Sequence, residues 1–85
     1  MTAKEAYEKI CKFTKSRPGV AICREYDKYF GFFLLPPGAK KGQRVFVGGE
    51  MLIVNKVSGH VCYQDDLDVN IRRMRWIPVR EDFGG

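Results

Sequence analysis

The sequence predicts an α+β protein: an N-terminal helix packed on a small antiparallel sheet of three to five strands, with a short C-terminal helix after it. Three observations predict this. A capping signature at Thr2 opens an apolar stripe of helical period. Two pairs of runs rich in β-branched and aromatic residues are each joined by a short polar turn, the pattern of a hairpin. A further apolar trio, Leu67, Ile71 and Met74, follows the acidic pair Asp65-Asp66.

The helix comes first. Thr2 is followed three residues later by Glu5, so each side chain can satisfy a backbone N–H that the first turn leaves free. Ala6, Ile10 and Phe13 then recur at helical spacing, with Ala3, Tyr7, Cys11 and Thr14 beside them. The expectation is about four turns, with Lys12, Lys15 and Arg17 complementing the negative end of the dipole and Pro18-Gly19 as the stop. A helix of this length is marginal in isolation, so its apolar face requires a sheet.

The first hairpin pairs residues 20–26 with residues 29–35 across Asp27-Lys28. Its second strand is almost continuously apolar, as a central strand should be, and Gly31 among aromatics marks a place where a large side chain lies against bare backbone. Residues 36–43 hold two prolines and two glycines and read as an exposed basic loop. Residues 44–47 fit either a short strand or an extended approach to the next hairpin. That second hairpin, residues 50–64, places Gly59 in the left-handed position that closes its turn. Residues 66–74 fit a helix carrying Leu67, Ile71 and Met74 or a strand carrying Leu67, Val69 and Ile71, and the helix is preferred because Asp65-Asp66 supplies a cap and favourable charge. Residues 76–79 read as extended and residues 80–85 as a frayed tail.

With 85 residues, the chain corresponds to one domain, residues 1–85, with one modest core. Fifteen Lys and Arg against ten Asp and Glu leave +5, a balance usual for solubility that also favours an acidic partner. Cys11, Cys23 and Cys62 match neither zinc nor CxxC spacing and read as small core residues in a reducing compartment. The first residues lack a signal-peptide pattern, and no stretch reaches the roughly 18 apolar residues of a membrane span. The expected location is the cytoplasm, without membrane association.

The order helix, aromatic strand containing Gly31, loop, glycine pair, then Leu52-Ile53-Val54-Asn55-Lys56-Val57-Ser58-Gly59-His60-Val61, resembles the immunity protein 35 family of bacterial polymorphic-toxin systems. The likeness covers residues 29–61, and PepSY-type domains carry a similar hairpin. It implies a small cytoplasmic protein of a bacterium or mobile element that acts by binding another protein.

No catalytic set emerges. Tyr63-Gln64-Asp65-Asp66 resembles the metal-binding motif of polymerase palms, but the chain is far too short for a palm and a helix cap accounts for the same residues. His60, the only histidine, has no Cys or Ser placed to pair with it. The sequence thus points to a non-enzymatic protein-interaction module of the immunity or host-modulating kind, with no cofactor and no metal, facing a protein with an acidic surface. Its candidate partner-binding residues are Arg72, Arg73, Arg75 and Trp76, with Lys40, Lys41 and Arg44 as a second basic cluster.

The alternative is a nucleic-acid-binding domain using Arg72, Arg73, Arg75, Lys40, Lys41 and Arg44, with the indole stacking on a base. Helix, strands, helix is the element order of double-stranded RNA-binding domains, but Asp65, Asp66 and Asp68 stand where those domains carry a basic run. For Trp76 the expectation is an anchor sealing the C-terminal segment onto the sheet, against an exposed interface residue as the competing role. Ile10, Phe13, Phe32, Leu34, Leu52 and Val54 are expected to share one core.

Overall fold

The computed structural model describes residues 1–35, 51–67, 70–81 and 83, with Arg72 as backbone only. One helix, α1 (Ala3–Thr14), lies on a five-stranded sheet of β1 (Val20–Tyr26), β2 (Tyr29–Leu34), β3 (Leu52–Asn55), β4 (Val61–Tyr63) and β5 (Trp76–Pro78). The strand order is β4-β3-β2-β1-β5, and every neighbouring pair is antiparallel. The α+β expectation therefore holds. The loop 36–43, the alternatives for 44–47, and Lys40, Lys41 and Arg44 lie outside the described residues.

The capping box forms as its spacing requires. Thr2 Oγ1 accepts from the Glu5 backbone N–H at 3.2 Å, while the Thr2 N–H donates to Glu5 Oε1 at 3.0 Å. That bond stabilises the Glu5 carboxylate and holds its pKa below the usual value. The helix ends earlier than expected. Lys15 turns into the left-handed region at φ 57°, and its N–H and that of Ser16 both return to the Cys11 carbonyl, so the stop is made by the backbone before Pro18-Gly19 is reached.

Ala3, Ala6, Tyr7, Ile10 and Cys11 form the buried stripe of α1. Phe13 is not part of it. At roughly 100° per residue it stands about 90° round the helix from the stripe's centre, and it remains 43% exposed, edge-on to Tyr63 with ring centroids 5.8 Å apart. The other core expectations hold: Ile10, Phe32, Leu52 and Val54 are buried together, with Leu34 partly buried against them.

The sheet carries apolar side chains on both faces. Beneath α1 lie Cys23, Phe30, Phe32, Leu52, Val54 and Phe83; on the other face Tyr26, Met51, Ile53 and Ile71 form a second cluster, with Leu67 and Met74 packed against it. An irregularity between Val20 and Ile22 separates the two sets along β1, which lets Val20 join Cys23 on the helix side while Ile22 pairs with Phe33 on the other. Gly31 is where a Cβ would fall 2.5 Å from Met51 Sδ, so the expected close approach is real and its occupant is Met51. The β3–β4 turn closes through Asn55, whose Oδ1 accepts from Val57 and Ser58, with Gly59 at φ +74° as expected.

Two expectations for the C-terminal part are corrected. The preferred helix over 66–74 is replaced by two single 3₁₀ turns, Gln64–Asp66 and Ile71–Arg73, and no side chain caps the first. Asp68 and Asn70 are weak helix formers, and three apolar residues give little reason to propagate a helix once Ile71 is anchored in the second cluster. The tail is not frayed at Phe83, whose ring is 6% exposed and sits 5.4 Å from Tyr7 and 5.5 Å from Phe32. Among the described residues, no helix is long and apolar enough to cross a membrane.

Candidate functional site

The pairing of β5 with β1 builds the site. Arg24 lies opposite Pro78 and Tyr26 opposite Trp76, while Ile22 and Arg24 face Phe33 and Gly31 of β2. Side chains at alternate positions therefore gather on the sheet face away from α1. Arg24 extends between two rings, its guanidinium carbon 4.2 Å from the Trp76 centroid and 5.4 Å from that of Phe33. Trp76 is 42% exposed, and Ile22, opposite Phe33 at the other end of the stack, is exposed as well. The result is a platform of a stacked guanidinium flanked by apolar surface.

The ion pairs among the described residues are Arg17–Glu8 at 3.1 Å, exposed on the helix side, and Lys56–Glu25 at 2.7 Å. Neither involves Arg24. Its Nε is buried and makes no hydrogen bond among the described residues, an arrangement that costs free energy because the donor has given up water without gaining an acceptor. The two rings offset part of that cost through cation–π contact and hold the planar group in one orientation.

Beside the platform, Glu25, Tyr26, Asp27, Lys56, Met74, Arg75, Trp76 and Ile77 line an open groove of about 620 Å³. Arg73 and Arg75 are exposed. The structure thus brings Arg75 and Trp76 to one groove, keeps Arg73 near it in sequence, and leaves the Arg72 side chain outside the described residues. Trp76 does not seal the C-terminal segment as expected; Ile71 and Phe83 take the buried positions on the two faces.

Arg24, Ile22 and Phe33 were not foreseen as site residues. The signal was the alternation of β1, which puts Ile22 and Arg24 on one side, but it becomes legible only once β5 is known to pair with β1.

Two of the three thiols and one buried phenol are held toward their protonated forms. Burial pushes the Cys23 thiol up to about 12 and also raises that of Cys62, with nearby carboxylates adding to both. Burial likewise takes the Tyr7 hydroxyl to about 12, and its proton is donated to the Pro18 carbonyl at 2.7 Å. Among the described residues, no three His, Cys, Asp or Glu side chains converge on a point that could hold a metal ion, and Asp65 and Asp66 are exposed in a 3₁₀ turn.

Fold and site together define a small α+β protein with a guanidinium–aromatic platform on the sheet face away from α1. Compared with protein-family models, with curated proteins and with solved structures, the chain matches none.

Proposed function

We propose that the chain is a small non-enzymatic, cytoplasmic protein-interaction module, of the immunity or host-modulating kind implied by the resemblance over residues 29–61, and that it binds a protein with an acidic face. One observation carries the reading: the Arg24 guanidinium is fixed between Phe33 and Trp76 without a carboxylate partner among the described residues. Arg and Trp dominate the energetics of protein interfaces, and a guanidinium already held flat loses little freedom when a carboxylate meets it. The +5 charge and the exposed Arg73 and Arg75 favour the same class of partner.

The test is capture from nuclease-treated bacterial extract with the wild-type protein, Arg24→Ala and Trp76→Ala, alongside melting curves. A protein retained by the wild type and lost by both variants, while both still melt cooperatively near the wild-type temperature, supports the reading. Retention unchanged by either substitution refutes it.

A second reading rests on the same stack, since an indole beside a guanidinium also suits a nucleobase and its phosphate. It requires that a single-stranded oligonucleotide bind with an affinity that falls steeply with salt. No mobility shift at low ionic strength ends it.

A further inference from the structure

The two edges of the sheet are built differently. At β5, Val79 N–H donates to the Cys23 carbonyl at 2.9 Å, so in the alternating ladder the N–H of residue 78 would point away from the sheet. That residue is proline, which has no N–H to offer an incoming strand. At β4 no such device is present: the strand is Val61-Cys62-Tyr63.

The β4 register shows which groups are free. Gln64 N–H donates to the Met51 carbonyl and Asn55 N–H to the His60 carbonyl, both at 2.9 Å. Cys62, opposite Ile53, therefore directs its N–H and C=O inward, while Val61 and Tyr63 direct theirs out from the sheet. Neither N–H has a partner among the described residues. Along this edge runs an open groove of about 660 Å³, bordered by Phe13, Tyr63 and Leu67, and Phe13 and Tyr63 are among the most exposed large apolar side chains of the protein.

We infer that β4 pairs with β4 of a second copy of this chain, antiparallel about a two-fold axis through Cys62, to make one continuous sheet with five strands from each copy. The register follows from counting. Placing Val61 opposite Tyr63 of the second copy uses the outward groups of both residues twice over and forms two hydrogen-bonded pairs. Placing Val61 opposite Val61, or Tyr63 opposite Tyr63, forms one. The exposed Phe13 and Tyr63 rings then lie beside the added strand and lose their contact with water.

Charge selects a second copy over an arbitrary strand. Asp65 and Asp66 follow β4 at one end; at the other, Lys9 from α1 reaches the turn, with its Cε 3.2 Å from where a Gly59 Cβ would stand. Antiparallel pairing through Cys62 sets residue 65 of one copy against residue 59 of the other. The acidic end of each β4 thus meets the Lys9 end of its mate, on both sides of the axis.

The two Cys62 residues would form a non-hydrogen-bonded pair across the axis. Their Cα atoms would be about 4.5 Å apart, within the roughly 4.4–6.8 Å span that a disulfide tolerates. This supplies the test. Diamide takes up the two electrons and two protons released when two thiols join, and a disulfide-linked dimer is expected with the wild type and not with Cys62→Ser. Equilibrium sedimentation should show Cys62→Ser still dimerising.

Lys9→Glu should weaken the dimer roughly ten-fold, since an attraction becomes a repulsion at two symmetric places, and Lys9→Glu with Asp65→Lys should recover most of the loss. A protein that stays monomeric at high micromolar concentration overturns the inference. So does a dimer in which Cys62 fails to cross-link or the charge exchange fails to restore association, because it would then use another surface. A monomer that instead takes up a strand-forming peptide at β4 would overturn the second copy as the occupant.

Discussion

Gly31→Ala should be destabilising in the native protein and stabilising once Met51 is shortened. The Cβ introduced at position 31 would lie 2.5 Å from Met51 Sδ and 3.2 Å from both Cγ and Cε, and Met51 is itself buried against Tyr26. The clash is with the middle of the side chain, so Met51 must change rotamer inside a packed cluster, a cost of about 1–3 kcal/mol. Against this, alanine within a strand gains about 0.5–1 kcal/mol over glycine from backbone entropy. The net is a loss of about 1 kcal/mol, or roughly 5 °C in Tm for a domain of this size.

In a Met51→Ala background, itself costing about 2–5 kcal/mol, the obstacle is gone and only the entropic gain remains. The second Gly31→Ala substitution should then raise stability by about 0.5 kcal/mol. Urea denaturation of the four proteins measures the cycle, and the expected coupling is about 1.5 kcal/mol. Additive effects, or a Gly31→Ala protein as stable as the parent in both backgrounds, would refute the close approach as the reason glycine stands there.

Other outcomes are equally open to measurement. Phe83→Ala should cost about 3 kcal/mol by emptying the space between Tyr7 and Phe32, read as a lowered denaturation midpoint; a change below about 0.5 kcal/mol would mean the ring is not part of the core. Gly59→Ala should cost about 1 kcal/mol, because φ +74° strains any residue with a Cβ while the neighbouring Lys9 stem can move aside; an unchanged Tm would contradict that turn. Alkaline pH should destabilise the fold through Cys23. Its thiol ionises near 9 when unfolded and near 12 when folded, so the unfolded chain holds fewer protons in that window. Stability falls there as pH rises, by about 1.4 kcal/mol per pH unit, and Cys23→Ala should flatten the decline in pH-dependent melting.

What could be read from the residues was what the chain decides locally. The capping box of Thr2 and Glu5, the Asp27-Lys28 turn and the Gly59 turn each involve partners a few residues apart, and each formed as expected. Gly31 was legible as a point of close approach because a lone glycine in an aromatic strand has few other uses. Phe13 was misjudged because it stands on the flank of the stripe set by Ala3, Ala6, Tyr7, Ile10 and Cys11, where helical spacing alone does not decide burial. Phe83 and Arg24 were missed for a related reason: both acquire their neighbours only when β5 returns to β1, some fifty residues away in sequence. The platform lies at that long-range junction, so the adjacent Arg75 and Trp76 were visible while Arg24 and Phe33, which complete the stack, were not.

The attachment of β5 has a consequence for how the platform behaves in time. This strand is three residues long, all of them exposed, and within the sheet it is held only to β1. Such a segment opens well below the free energy of global unfolding, and each opening separates Trp76 from Arg24 and takes the stack apart. A ligand that needs the assembled stack binds only the closed form and lowers the open population in proportion to the fraction of protein left unoccupied. The Val79 amide, bonded to the Cys23 carbonyl, reports that directly. Its hydrogen exchange should be fast relative to the amides of β2 in the free protein and should slow with the concentration of any ligand that uses the platform, whether or not the ligand touches Val79.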